Sequence, residues 1–228
     1  MANNYYDATG VLVLDRVTPV ISALFGDFKL DADHPGNGQA YIARIAEEND
    51  PQWEDVLFNL MALAADLGLP APNGDDSDQE PSLSVILDWL AGHFGATGDA
   101  DLLNFIEHHQ ADDPVELAAL FLIATCFNDG HNLQEIRMEG CWHCSKPRLF
   151  EFGGDGEFLS REWVGHGASS HTIGLGRQLR SALVQDDLDT AAQCLDKEMR
   201  RLLAGITDDR QRSQVQQRLA VLLLANSA

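Results

Sequence analysis

The chain has 228 residues and a mass of 25.0 kDa, and 45% of its side chains are apolar, enough to bury a core. Its 36 acidic against 15 basic groups give a net charge of −21, which excludes nucleic-acid binding over the surface at large. The longest apolar run, Leu117 to Phe127, is too short to span a bilayer, no basic leader opens the chain, and four cysteines make a poor disulfide framework, so a soluble cytoplasmic protein is expected.

Gly10 to Asp15 reads as a short strand, a compact Val/Leu run after a glycine. Thr18-Pro19 then opens a helix, with Thr as cap and Pro at the first helical position, and Gly26 closes it. Asp27 to Asp31 reads as a second strand and His34-Pro35-Gly36-Asn37-Gly38 as a turn, while Gln39 to Ala46 fits strand or helix. A helix starts at Asn49 or Asp50 before Pro51, places Trp53, Val56, Leu57, Leu60, Ala64 and Leu67 at the 3.6 period, and stops at Gly68. The stretch 70–81, with three prolines and almost nothing to bury, reads as a linker or loop; it lacks the alternating oxygens and distal glutamate of a calcium loop.

Helices are expected at Pro81–Gly95, at Asp99–His109 and at Pro114–Asn128. The last is apolar nearly all round, as a buried central helix would be, with Cys126 as a small core residue. The period then changes. Leu133–Trp142, Arg148–Phe152 and Glu157–Val164 alternate, with Gly153-Gly154-Asp155-Gly156 as the second turn, which predicts a three-stranded antiparallel meander. Ile173–Val184 is helical again. Asp186-Asp187 caps a helix with Leu188, Ala191, Ala192, Leu195, Met199 and Leu202 on one face, read as an ordinary core stripe; Thr207 caps a last helix with Val215, Leu219, Leu222 and Leu223 inward. The expected fold is α+β, predominantly helical, with a small three-stranded meander and a second small N-terminal sheet. The expected organisation is an α+β region 1–69, a linker or loop at 70–81, and a helical region 82–228 with the meander inserted at 132–164, with one compact domain formed by 82–228 and 1–69 together as the alternative.

Charge is partitioned along the chain. Residues 45–136 carry 19 acidic groups and no lysine or arginine, while residues 137–228 hold 12 of each sign. A solvated, self-repelling surface is the plain explanation. The sharper one is a face that meets a basic partner, including a DNA-binding protein whose nucleic acid it imitates, with no direct nucleic-acid or membrane binding. On a helix, carboxylates three or four residues apart lie about 5–6 Å from each other. Glu47, Asp50, Glu54 and Asp55 are the candidate interaction residues on that ground.

Cys141-Trp142-His143-Cys144 is the one segment with metal-ligand spacing, since Cys-x2-Cys on a turn lets two thiolates grip a tetrahedral zinc. His166 and His171 have finger-like spacing and complete a candidate set with Cys141 and Cys144; His131 is a further candidate ligand. Against zinc stands a packing role for the segment, and no thioredoxin-like pattern surrounds it. Gly165 to His171 brings nucleophile and base types together but lacks a nucleophile elbow, Gly174-Leu175-Gly176 with Arg177 and Arg180 reads as a glycine-rich helix entry or an anion site at a helix start, and Glu107-His108-His109 reads as a solvated helix end. No catalytic residue and no cofactor is assigned, with zinc as the alternative.

Two stretches, YYDATGVLVLDRVTPVISALF at 5–25 and EGCWHCSKPRLFEFGGDGEF at 139–158, resemble uncharacterised bacterial proteins carried by integrative and conjugative elements. The resemblance implies a role in the life of a mobile element, such as transfer, maintenance or evasion of host defence. It carries over no activity and no functional residue. The sequence thus points to a non-catalytic interaction protein acting through 45–136, with a zinc module or small metal-dependent enzyme at Cys141 and Cys144 as the alternative.

Overall fold

The structure, a computed structural model, describes residues 3–69, 81–109, 114–146, 148–149 and 151–225. The 70–81 reading falls almost wholly outside the described residues, as does Asp113, the cap expected for the helix from Pro114. Six strands, β1 (Asn4–Val13), β2 (Asp31–Pro35), β3 (Gln39–Arg44), β4 (Glu135–Cys144), β5 (Phe152–Ser160) and β6 (Val164–Ala168), are hydrogen-bonded in the order β2-β3-β1-β4-β5-β6. This corrects the expected three-stranded meander with a separate small N-terminal sheet: there is one six-stranded sheet. The chain divides into two compact units, residues 5–138 and residues 139–228 with the first four, and the division falls inside β4.

Unit 5–138 contains the larger core. Thr18 caps α1 (Pro19–Phe25) by accepting from the Ile21 amide, with Pro19 in the first turn, as the sequence predicts. Gly26–Phe28 is a 3-10 turn and β2 begins only at Asp31, so the expected strand at 27–31 starts four residues late. Four further helices follow: α2 (Trp53–Asp66), α3 (Leu83–Phe94), α4 (Ala100–His108) and α5 (Leu117–Cys126). Asp99 caps α4 by accepting from the amides of Asp101 and Leu102. Leu12, Ile42, Leu60, Leu90 and Leu120 are fully buried, and Phe94 stacks on Phe127 at 5.2 Å.

Gly10 explains why the N-terminal strands join β4. On β1 it lies opposite Ile42 of β3, and a Cβ there would stand 2.1 Å from the Arg137 carbonyl oxygen and 2.8 Å from the Met138 sulfur. Only a residue without a side chain admits that approach.

In the other unit the glycine run is strand and not turn. Gly153 and Gly154 belong to β5, and a Cβ on Gly153 would lie 2.1 Å from the Trp142 ring, so the indole occupies the space that a side chain would need. The turn falls instead at Ser160–Trp163, where the Ser160 hydroxyl accepts from the amides of Glu162 and Trp163 and the Ser160 amide donates to the Trp163 carbonyl. Three helices complete the unit, α6 (Ser169–Val184), α7 (Leu188–Ala204) and α8 (Asp209–Ala225). Asp187 caps α7 as predicted, accepting from the Thr190 amide at 3.0 Å. Asp208, and not Thr207, accepts from the Gln211 amide at the start of α8. Of the core stripes expected on α7 and α8, only Ala191 is buried; Ala182 is the one buried residue of α6, and α8 buries none.

Candidate functional site

The division of the fold coincides with the division of charge. Unit 5–138 carries 24 acidic and 4 basic side chains, a net −20, and the remainder of the chain carries 12 and 11, a net −1. Thirteen of the 19 acidic groups in 45–136 are among the described residues; eleven are exposed, two half-buried and none buried. A carboxylate that a fold needs for its core is shielded from solvent, so this distribution leaves most of the charge available to a partner.

Some of these carboxylates also have local structural work. Asp99 is the cap already described. Asp129 accepts from the Val20 amide at the start of α1, at 3.1 Å, and Asp55 accepts from the Gln52 amide at 2.9 Å at the start of α2. Asp50 pairs with Arg44 and Glu48 with Lys29, which occupies two of the unit's four cations. Glu47 and Glu54 make no ion pair or hydrogen bond among the described residues.

The four predicted interaction residues do not form one helical row. Helix α2 begins at Trp53, after Pro51, so Glu54 and Asp55 lie in its first turn. Glu47 stands in a turn with φ +64°, and Asp50 is in the extended segment before the helix. The helical i, i+3, i+4 spacing expected of them therefore does not exist here. What remains is an exposed acidic cluster at the β3–α2 connection.

The candidate metal ligands are placed apart. Cys141 and Cys144 sit within β4, not on a turn, and their odd separation sends them to opposite faces of the strand. Cys141 is exposed, whereas Cys144 is 4% exposed. His166 is on β6 and His171 in the first turn of α6. His171 Nε2 bonds Glu198 at 2.6 Å, and Arg201 donates both to Glu198 and to the His166 carbonyl, tying β6, α6 and α7 together. Hydrogen bonds from Arg201, and after them one from His171, hold the Glu198 carboxyl below its usual range. Among the described residues, no grouping of ligand atoms close enough to share an ion includes Cys144, His131, His166 or His171.

His131 is fully buried, its Nδ1 accepting from the Leu133 amide at 2.8 Å and its Nε2 lying 3.0 Å from the Ala124 carbonyl. An acceptor Nδ1 carries no proton, so the ring is neutral with hydrogen on Nε2, donated to Ala124. Both nitrogens are thereby committed to backbone, and His131 has none left for a metal. Nothing in the sequence signals this structural role beyond an isolated histidine between a glycine and an asparagine.

Gly174 and Gly176 lie inside α6, which starts five residues before Gly174, so they do not form a helix start. A cavity of about 210 Å³ does lie beside the first turns of α6, lined by Trp142, Phe152, Ser169, Ser170, Ile173 and Arg177 among others. Its walls are aromatic and aliphatic apart from the two hydroxyls and Arg177.

The thiols differ in their chemistry. Burial pushes the Cys126 thiol up to about 11, and the neighbouring Asp99 carboxylate adds to the shift. At pH 7.5 its thiolate fraction is then on the order of 10⁻³ to 10⁻⁴, because each pH unit below the pKa removes a factor of ten. Maleimide labelling followed by peptide mass mapping should find exposed Cys141 modified first and Cys126 still free. Equal labelling of the two would contradict this assignment.

Comparison with protein families, with curated proteins and with solved structures gives no match to this chain. Among the described residues, no helix is long and apolar enough to cross a membrane.

Proposed function

We propose that the chain is a non-catalytic interaction protein whose acidic unit, residues 5–138, recruits a basic protein. A single observation carries the reading: the net charge of −20 is confined to one structural unit, and eleven of its thirteen described carboxylates within 45–136 are exposed. A uniform solubility charge would have been shared with the other unit, which is nearly neutral. The basic side chains of a DNA-binding protein are one chemistry that such a surface suits, and a mobile element is one setting in which such binding would serve.

Attraction of this kind is screened by salt, with a Debye length of about 10 Å at 0.1 M and about 3 Å at 1 M. Affinity capture with the full chain should therefore retain a basic protein at low salt and release it at high salt. Glu47→Gln with Glu54→Gln should weaken capture without loss of stability, since neither carboxylate has an internal partner. Asp55→Ala is the contrasting change, because it removes the acceptor for the Gln52 amide at the start of α2. If nothing basic is retained at low salt, the reading fails.

A further inference from the structure

The cavity of about 210 Å³ beside α6 lies wholly within residues 139–228, and the acidic surface does not account for it. Its existence follows from residue size. Ser169, Ser170, Ile173, Gly174 and Arg177 recur at the three- and four-residue steps that bring side chains onto one face of a helix. Such a face closes on a sheet when it carries bulky aliphatic residues. Here Ile173 is the only one, and the two serines and Gly174 leave room. A Cβ on Gly174 would meet nothing within 4 Å. The remaining walls are two aromatic side chains, Trp142 of β4 and Phe152 of β5.

These walls are held in place from behind. The Trp142 ring fills the space over Gly153 that a side chain would take, which fixes the indole against β5. The Ser169 hydroxyl accepts from the Gly154 amide at 3.1 Å, tying the start of α6 to the same strand and leaving the hydroxyl proton to donate. A preformed site of this kind loses little freedom on binding. Phe152 and Ile173 are 56% and 50% exposed, so the cavity communicates with solvent.

Size and charge define the occupant. A dry apolar cavity of about 150 Å³ holds one benzene, so about 210 Å³ takes one ring with a short polar arm. Arg177 is the one charged side chain among the described lining residues, and it makes no ion pair or hydrogen bond among the described residues. A guanidinium forks onto a carboxylate through two parallel hydrogen bonds, and no carboxylate of the described lining competes for it. We infer that the cavity binds a small aromatic carboxylate, its ring against Trp142, Phe152 and Ile173 and its acid group on Arg177 beside the serine hydroxyls.

Phenylacetate is the probe, with phenylacetamide as its uncharged counterpart and acetate as the charge without the ring. Titration into the isotope-labelled full chain is followed by NMR, the Trp142 indole signal being assigned by its absence from Trp142→Phe. Phenylacetate should shift that indole and the Ser169, Ser170 and Gly174 amides with a Kd of about 1 mM or tighter, modest because the ligand is small. Phenylacetamide should bind about 10-fold more weakly, and acetate should move none of these signals. Arg177→Gln should weaken phenylacetate about 10-fold and leave phenylacetamide unchanged, a split that a merely structural arginine would not produce. Gly174→Leu puts a side chain into the open space and should abolish binding of both, with the helical dichroism of the folded chain retained. Equal affinity for the acid and the amide, unchanged affinity in Gly174→Leu, or a Trp142 indole unmoved at about 10 mM phenylacetate overturns the inference. Every readout concerns residues 139–228, so capture of a basic protein by the acidic unit stands or falls separately.

Discussion

Replacing Gly10 by valine should lower the stability of the acidic unit by about 3 kcal/mol or more, at the upper end of what overpacking costs. The obstacle is not a side chain that can rotate away. A Cβ at Gly10 meets the Arg137 carbonyl oxygen at 2.1 Å, on the backbone of β4, the neighbour of β1 in the sheet. Relief requires separating the two strands, which breaks the ladder that the approach permits. Gly176→Ala is the matched control. That glycine sits within α6, a Cβ there has nothing within 4 Å, and the change should stabilise by about 0.5–1 kcal/mol through lower chain entropy. Urea melts of the two variants should move in opposite directions; a Gly10→Val midpoint equal to wild type would refute the close approach.

His131→Ala should be comparably damaging, at about 3–5 kcal/mol. It empties a fully buried site and leaves two backbone groups, the Leu133 amide and the Ala124 carbonyl, without their partners. His131→Asn separates the contributions, because an asparagine oxygen can still accept from the amide two residues on while the bond to Ala124 is lost. The asparagine variant should fall between alanine and wild type in denaturant midpoint. If alanine is tolerated without loss, the histidine does not hold the connection between α5 and β4.

These two residues show where the sequence is legible and where it is not. Caps are local, so Thr18-Pro19, Asp99 and Asp187 mark helix starts correctly from a few adjacent residues. Sheet partners are remote. Gly10 is explained only by Arg137, and Gly153 only by the Trp142 ring, so the glycine run at 153–156 resembles a turn until its cross-strand neighbour is known. The same blindness affects the candidate metal residues: Cys-x2-Cys grips an ion on a turn, but on β4 the identical spacing turns one thiol outward and buries the other. The helical period of Leu188, Leu195 and Leu202 is plain in the sequence, but period alone does not say whether a stripe is buried.

The acidic surface was the most legible feature, because charge is counted without knowing the fold; its confinement to one structural unit was not. Carbodiimide coupling tests that confinement most directly, since it joins carboxylates to lysines in contact. With a captured basic partner, the cross-links should map to the unit's carboxylates, including Glu47 and Glu54, well beyond the two-to-one excess that 24 against 12 acidic groups would give by chance. Cross-links in that two-to-one proportion, or concentrated in residues 139–225, would contradict the claim that the acidic unit is the binding surface.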